Sequence, residues 1–160
     1  MVKQEKRNPN EPGPFDPRIV ELTLKMIRDL AEIDPEQARV LDVGCGYGRL
    51  VDSLRAKGVS AVGCDVDVFW EAGRSEFRRI EMEPYRLPYD SNSVDVVVTN
   101  TILEHVQDHV RLYREIHRIL KPGGCALHIL PGRWYTRRMR DFRHFHSPII
   151  AKFSVNNERI

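Results

Sequence analysis

Apolar residues recur along this chain in two periods, and the alternation between them predicts its elements. Val20, Leu24, Ile27 and Ala31 fall at i, i+4, i+7 and i+11 behind Asp16-Pro17. A capping residue followed by proline marks a helix start, so a leading helix is expected to lay one face on a sheet. Val40, Leu41 and Val43 read as a short buried strand, and Leu50, Val51 and Leu54 as one face of a second helix stopped by Gly58. Val59 to Cys64 predicts a second strand and Arg79 to Met82 a third. Val94, Val96, Val97 and Val98 form the β-branched run of a strand covered on both faces. Val106, Val110, Tyr113, Ile116 and Leu120 then recur at helical spacing, with Arg111, Arg114, Glu115 and Arg118 off that stripe. Lys121-Pro122-Gly123-Gly124 is expected to end this helix, and Cys125 to Leu130 to begin a fifth strand. Val68 to Ile80, interrupted by Gly73, has room for a short helix at best.

Strands alternating with helices predict an α/β domain: a doubly wound, mostly parallel sheet between two helical layers. The predicted strands end at Val43, Cys64, Met82, Thr99 and Leu130, and in a parallel sheet those ends share one edge. Polar residues come directly after each of them and should converge on one crevice. After the fifth strand there is room for one more at most, near Ile149 to Val155.

The rest of the chain is organised around Val40 to Leu50, where the strand breaks into Gly44, Gly46 and Gly48 before a helix resumes. Glycines at every second position allow a tight turn and the approach of a ligand with no Cβ in the way. The helix behind them turns its unpaired amides toward the loop. Past the second strand comes Asp65-Val66-Asp67. A carboxylate there can accept both vicinal hydroxyls of a ribose, or can simply cap the next helix. Dinucleotide enzymes combine a glycine loop with such an acid too, but their G-x-G-x-x-G spacing is broken here by Arg49.

Asp42 followed by Gly44-x-Gly46-x-Gly48 resembles the first motif of the class I S-adenosylmethionine-dependent methyltransferases. Three further stretches are similar to that family: Leu87-Pro88-Tyr89 with Asp90 to Asp95, Asn100 with Leu103-Glu104-His105-Val106, and the Lys121-Pro122-Gly123-Gly124 turn. The second of these resembles the LEHV stretch of the members acting on small molecules. The Asn/Asp-Pro-Pro-Tyr sequence of amino-methylating members is not seen. The resemblance implies a Rossmann-like fold, here lacking one or both of its final strands, and S-adenosylmethionine as cofactor with S-adenosylhomocysteine as product. It assigns the cofactor to Asp42, Gly44, Cys45, Gly46, Gly48, Asp65, Val66, Glu83, Pro84 and Asn100, with Asp65 on the ribose and Glu83 on the adenine amino group. Pro84 departs from the family pattern, because it has no N–H to offer the adenine ring. Methyl transfer from a sulfonium needs mainly that donor and acceptor be held together, so a base is optional. His105 with Glu104 is the candidate, against a plain packing role. Two alternatives accompany this reading: a shortened, non-catalytic module that binds the same cofactor, and a nicotinamide-dependent oxidoreductase.

Composition narrows the partners. With 160 residues the chain is expected to hold a flexible leader, 1–15, rich in charge and proline, and one domain, 16–160. A net charge of +2 gives no global case for nucleic acid, and no apolar run suggests a membrane span or a secretory signal. Cys45, Cys64 and Cys125 read as reduced, buried thiols of a cytoplasmic protein. In the tail, Arg133, Arg137, Arg138, Arg140, Arg143, Lys152 and Arg159 outnumber Asp141 and Glu158, among Trp134, Tyr135, Phe142 and Phe145. The stretch 133–146 is thus a candidate contact for an acidic or aromatic small-molecule acceptor, or a solvated surface. No metal is expected: His105 and His109 lie four apart on what reads as one helix, but Val106 breaks the H-E-x-x-H arrangement.

Overall fold

The computed structural model describes residues 15–67, 70, 73–130 and, for the backbone, 149–154. The expected leader and the basic, aromatic stretch 133–146 lie outside the described residues, Phe15 excepted. The elements run α1 (Pro17–Asp29), β1 (Arg39–Val43), α2 (Arg49–Arg55), β2 (Ser60–Asp65), β3 (Phe77–Arg79), β4 (Glu81–Met82), β5 (Tyr85–Arg86), β6 (Val94–Asn100), a 3-10 turn (Leu103–His105), α3 (His109–Ile119), β7 (Leu120–Leu130) and β8 (Ile149–Ser154). Six strands form one sheet in the order β3-β2-β1-β6-β7-β8, all parallel except β8, which runs antiparallel to β7. The doubly wound α/β reading is therefore correct, and β8 occupies the place expected for one further strand.

The helices form because their ends are capped and one face is buried. The Asp16 carboxylate accepts the Arg18 N–H at 2.9 Å, and Pro17 opens α1 without a donor to waste. Ile19, Val20, Leu24, Met26 and Ile27 of α1, with Leu50, Val51 and Leu54 of α2, pack on Val40, Ala61, Val96, Val98 and Leu127 of one sheet face. Each such side chain stabilises the fold by roughly 1.5–3 kcal/mol. Leu41, Val43, Val94, Val97 and Ala126 point to the other face, under Leu112, Ile116 and Ile119 of α3.

Four expectations change. The third sheet strand is Phe77–Arg79, paired with β2, whereas Met82 belongs to a separate antiparallel hairpin, Glu81–Met82 with Tyr85–Arg86. Among the described residues no helix joins β2 to β3. The buried stripe of α3 is Leu112, Ile116 and Ile119, while Val110 and Tyr113 are exposed and Val106 precedes the helix. The helix begins later than its apolar period suggests because Asp108, whose carboxylate accepts the Arg111 N–H at 2.9 Å, starts α3 only at His109. The helix also ends at Ile119, so Leu120 and the Lys121-Pro122-Gly123-Gly124 stretch already belong to β7.

Candidate cofactor and methyl-transfer site

β1 is the point where the winding reverses, with β2 on one side and β6 on the other, so a crevice opens beyond its carboxyl end. Gly44, at φ 77°, begins the loop that lines it. The N–H groups of Gly44 and Cys45 donate to the Cys64 carbonyl at 2.8 and 3.1 Å, and the Gly46 N–H donates to Asp65 Oδ2 at 2.7 Å. Asp65 Oδ1 accepts the Val66 N–H at 2.7 Å. Asp65 thus holds the loop as well as facing the crevice, and the plain helix-capping alternative has no helix to cap among the described residues.

Two cavities flank Gly44. The larger, about 520 Å³, is lined by Val43, Gly44, Asp65, Val66, Ile80, Met82, Glu83, Tyr85, Ile102, His105, Val106, Gln107, Asp108 and Arg111. That volume suits a small organic ligand, and its walls are mostly apolar with three carboxylates among them, Asp65, Glu83 and Asp108. The smaller, about 190 Å³, is lined by Phe15, Asp42, Gly44, Cys45, Gly46, Tyr47, Arg49, Asn100 and Thr101. Gly44 is the residue common to both, and Ile102 of the larger cavity packs on it so closely that a Cβ there would stand 2.4 Å from the Ile102 Cγ2.

The polar groups of the small cavity are unequal. Asp42 is 4% exposed, and its Oδ1, like Asn100 Oδ1, is buried with no hydrogen-bond partner among the described residues. Burial, and then the nearby Asp65 charge, push the Asp42 carboxyl up to about 8. Two orphaned acceptors on residues that line one cavity call for a donor, and a cationic one would relieve both. Burial also raises the Cys45 and Cys64 thiols, which stay protonated. Thr101 is left-handed at φ 54°, a strained conformation for a β-branched residue, and its turn carries the chain from Asn100 to Ile102.

The hairpin that carries Glu83 is fixed from behind. Glu115 Oε2 accepts the Leu87 N–H at 2.9 Å, and Arg118 donates to the Leu87 and Tyr89 carbonyls at 3.0 and 2.9 Å. The Arg118 guanidinium holds the Glu115 carboxyl below its ordinary range. The Tyr89 hydroxyl donates to the Gly63 carbonyl at 2.8 Å, tying the Leu87-Pro88-Tyr89 loop to β2.

Of the residues singled out from sequence, Asp42, Cys45, Gly46 and Asn100 line the small cavity, Asp65, Val66, Glu83 and His105 the large one, and Gly44 both. Gly48, Pro84 and Glu104 line neither. Gly48 caps α2 at φ 76°, and the Phe77 ring occupies the space its Cβ would take, at 2.2 Å. Pro84 sits in the β4–β5 turn after a cis bond. His105 and His109 do not share a helix: His105 closes the 3-10 turn, and His109 Nε2 donates to the Leu103 carbonyl at 2.9 Å. Sequence reasoning misses Phe15, Arg49, Thr101 and Ile102. Arg49 alone carries a signal that could find it, because it directly follows the last loop glycine.

Residues 41–127 match the family model described as "Methyltransferase domain". An uncharacterized methyltransferase of Mycobacterium sp. (strain JLS) is 31% identical over 126 residues, covering 74% of this chain and 50% of the relative. A ubiquinone biosynthesis O-methyltransferase of Albidiferax ferrireducens is 34% identical over 126 residues, covering 70% of this chain and 48% of the relative. Among solved structures, phosphoethanolamine N-methyltransferase 2 of Haemonchus contortus in complex with S-adenosyl-L-methionine superposes with a TM-score of 0.55 at 22% identity, over 69% of this chain and 28% of that one. The chain spans about half the length of the curated relatives it matches. These relatives lend no support to the nicotinamide oxidoreductase or to the non-catalytic module.

Proposed function

The chain belongs to the S-adenosylmethionine-dependent methyltransferase family, and from that premise we propose that it binds this cofactor across both cavities and methylates a small-molecule acceptor. The observation that carries the reading is that Asp42 and Asn100, each with a buried oxygen that has no hydrogen-bond partner among the described residues, both line the small cavity. They fit the α-ammonium of a methionine moiety, a donor that the described residues around them do not supply. Beyond Ile102, the large cavity offers Asp65 to ribose hydroxyls and Glu83 to an adenine amino group, with Val66, Ile80 and Met82 as apolar cover for the base.

The cofactor, when bound, supplies a methyl group on a positively charged sulfur, which a nucleophile can take without further activation. The protein's part is to hold the two halves of the cofactor on either side of Gly44, to exclude water with Ile102, and to leave the acceptor an in-line approach. His105, on the wall of the large cavity, is the residue available to take a proton from a hydroxyl acceptor. Glu104 lines neither cavity and is left to a supporting role. The O-methyltransferase among the relatives makes hydroxyl compounds the first acceptor class to screen.

Calorimetric titration with S-adenosylhomocysteine tests the site directly. Binding in the micromolar range, about −8 kcal/mol, is expected, and Asp65→Ala should abolish it because that change removes the ribose acceptor and releases Gly46 together. Absence of binding by the intact chain would sink the proposal.

A further inference from the structure

The cofactor reading takes up Asp65, Val66, Ile80, Met82 and Glu83 of the large cavity and leaves Gln107, Asp108 and Arg111 without a role. These three belong to the stretch after β6, which lies on the opposite side of β1 from β2 and β3 in the strand order. That stretch is held in one piece. The His109 imidazole is bonded to the Leu103 carbonyl at 2.9 Å, closing the 3-10 turn onto the start of α3, and the Asp108 carboxylate caps the helix through the Arg111 N–H. His105 and Arg111 therefore reach the cavity from a common support.

Arg111 is the one Arg or Lys lining this cavity, and its charge is only partly spent. Its ion pair with Asp108 runs through Nε at 3.5 Å between two solvent-exposed side chains, a pairing that contributes little and that an entering anion can share. One Asp108 oxygen is already engaged by the helix cap. The two Nη groups of Arg111 make no hydrogen bond to the described residues. Their planar edge matches the two oxygens of a carboxylate, where a neutral amide would use half of it. Asp65 and Glu83 are given to neutral hydroxyl and amino groups, so the fixed charge left for an acceptor is that of Arg111.

Resting on the functional reading above, we infer that Arg111 is a specificity-determining residue that binds a carboxylate of the methyl acceptor, which is a hydroxy acid with an apolar body. Its hydroxyl is served by His105, its carboxylate by Arg111 and its body by Ile102 and Val106 of the same cavity. In the transfer, the hydroxyl oxygen bonds to the methyl carbon as the carbon–sulfur bond breaks, the sulfur keeps that electron pair as a neutral thioether, and His105 receives the proton. The carboxylate is held and not methylated.

The test saturates the intact chain with S-adenosylhomocysteine and titrates it with para-hydroxybenzoate and with para-hydroxybenzamide, which has the same shape and hydroxyl but no charge. The acid should bind about tenfold or more tighter than the amide. Arg111→Gln should bring the two together by weakening the acid alone, and Arg111→Lys should restore part of the difference. S-adenosylhomocysteine should bind both variants as it binds the intact chain, which a general disturbance of α3 would not allow. If neither probe binds the loaded chain, if the amide binds as well as the acid, or if Arg111→Gln keeps the preference, the inference is overturned while the cofactor site stands. If S-adenosylhomocysteine does not bind the intact chain, the functional reading falls and takes this inference with it.

Discussion

The two cavities on either side of Gly44 are built from different materials. The large one is walled by Val43, Val66, Ile80, Met82, Ile102 and Val106, with the carboxylates of Asp65 after β2, Glu83 in the hairpin and Asp108 at the start of α3 among its lining residues. The small one lies at the sheet's carboxyl edge, and two residues that line it, Asp42 and Asn100, carry buried oxygens with nothing to bond among the described residues. An apolar gap supplies affinity to anything flat and greasy, whereas an unmet polar pair in low dielectric supplies discrimination, because the wrong ligand leaves the desolvation penalty in place. On the proposed reading the site divides its work: one half would retain the ligand, and the other would decide which ligand is retained. Titrating each variant with S-adenosylhomocysteine and with 5′-methylthioadenosine, which carries no amino-acid group, separates the halves.

The largest effect is expected where the halves meet. Gly44→Ala forces a Cβ to 2.4 Å from Ile102 Cγ2 at φ 77°, so Ile102 must move and both ligands should weaken, by roughly a hundredfold or more. Selective loss of one ligand would contradict the partition.

Asp42→Asn should act on the small cavity alone, weakening S-adenosylhomocysteine by roughly tenfold to a hundredfold and leaving methylthioadenosine unchanged. The same carboxyl gives a pH signature. Its folded pKa, about 8, lies above the ordinary aspartate value of 3.8. Its contribution to the stability of the free protein is therefore fully present below about 4 and is lost as pH rises through about 8. An ammonium prefers the ionised form, so binding of S-adenosylhomocysteine should tighten from pH 6 to 8 and release a proton. Asp65, held by the Gly46 and Val66 amides, and the protonated Cys45 and Cys64 are the titratable groups coupled to Asp42. Calorimetry in two buffers of different ionisation enthalpy measures the proton, and Asp42→Asn should remove it.

Glu83→Gln should weaken both ligands equally, by about tenfold, since both carry adenine. An inosine analogue of S-adenosylhomocysteine, with a carbonyl in place of the amino group, should bind the variant at least as well as the intact chain, because the Gln amide can donate to that carbonyl where the carboxylate cannot. The smallest effect belongs to Thr101→Gly. It relieves a left-handed β-branched residue worth about 1 kcal/mol, so the melting temperature should hold or rise slightly. Affinity for S-adenosylhomocysteine should fall a fewfold as Asn100 loses its fixed aim, with methylthioadenosine again unchanged.

Much of the fold and of the site is legible in the linear pattern. β1, α2 and β6 are specified by local apolar runs and by glycines whose backbone angles no other residue adopts freely, so they stand at their expected places. The acid after β2 is legible for the same reason, because strand length alone puts Asp65 at the crevice. Where several apolar residues compete for one stripe, the sequence misleads. Val110 and Tyr113 match the helical period as well as Leu112 does, and only the cap at Asp108 and the packing of Ile116 and Ile119 under the sheet choose between them. The third strand lies away from its expected place for a related reason: Phe77 pairs with Gly63 across the sheet, a contact between residues 14 apart that no local period announces.

What the sequence determined by itself is the α/β order of the elements and the identity of the groups at the crevice, because strand runs, caps and left-handed glycines are local choices. What only the tertiary structure decided is how those groups are shared out. Ile102 packs onto Gly44, the residue that both cavities share. Burial leaves the Asp42 and Asn100 oxygens unmet among the described residues, and the approach of Phe15 brings Arg49 to the same wall. Desolvation and charge proximity depend on distances between residues far apart in the chain, and those distances exist only once the sheet has closed.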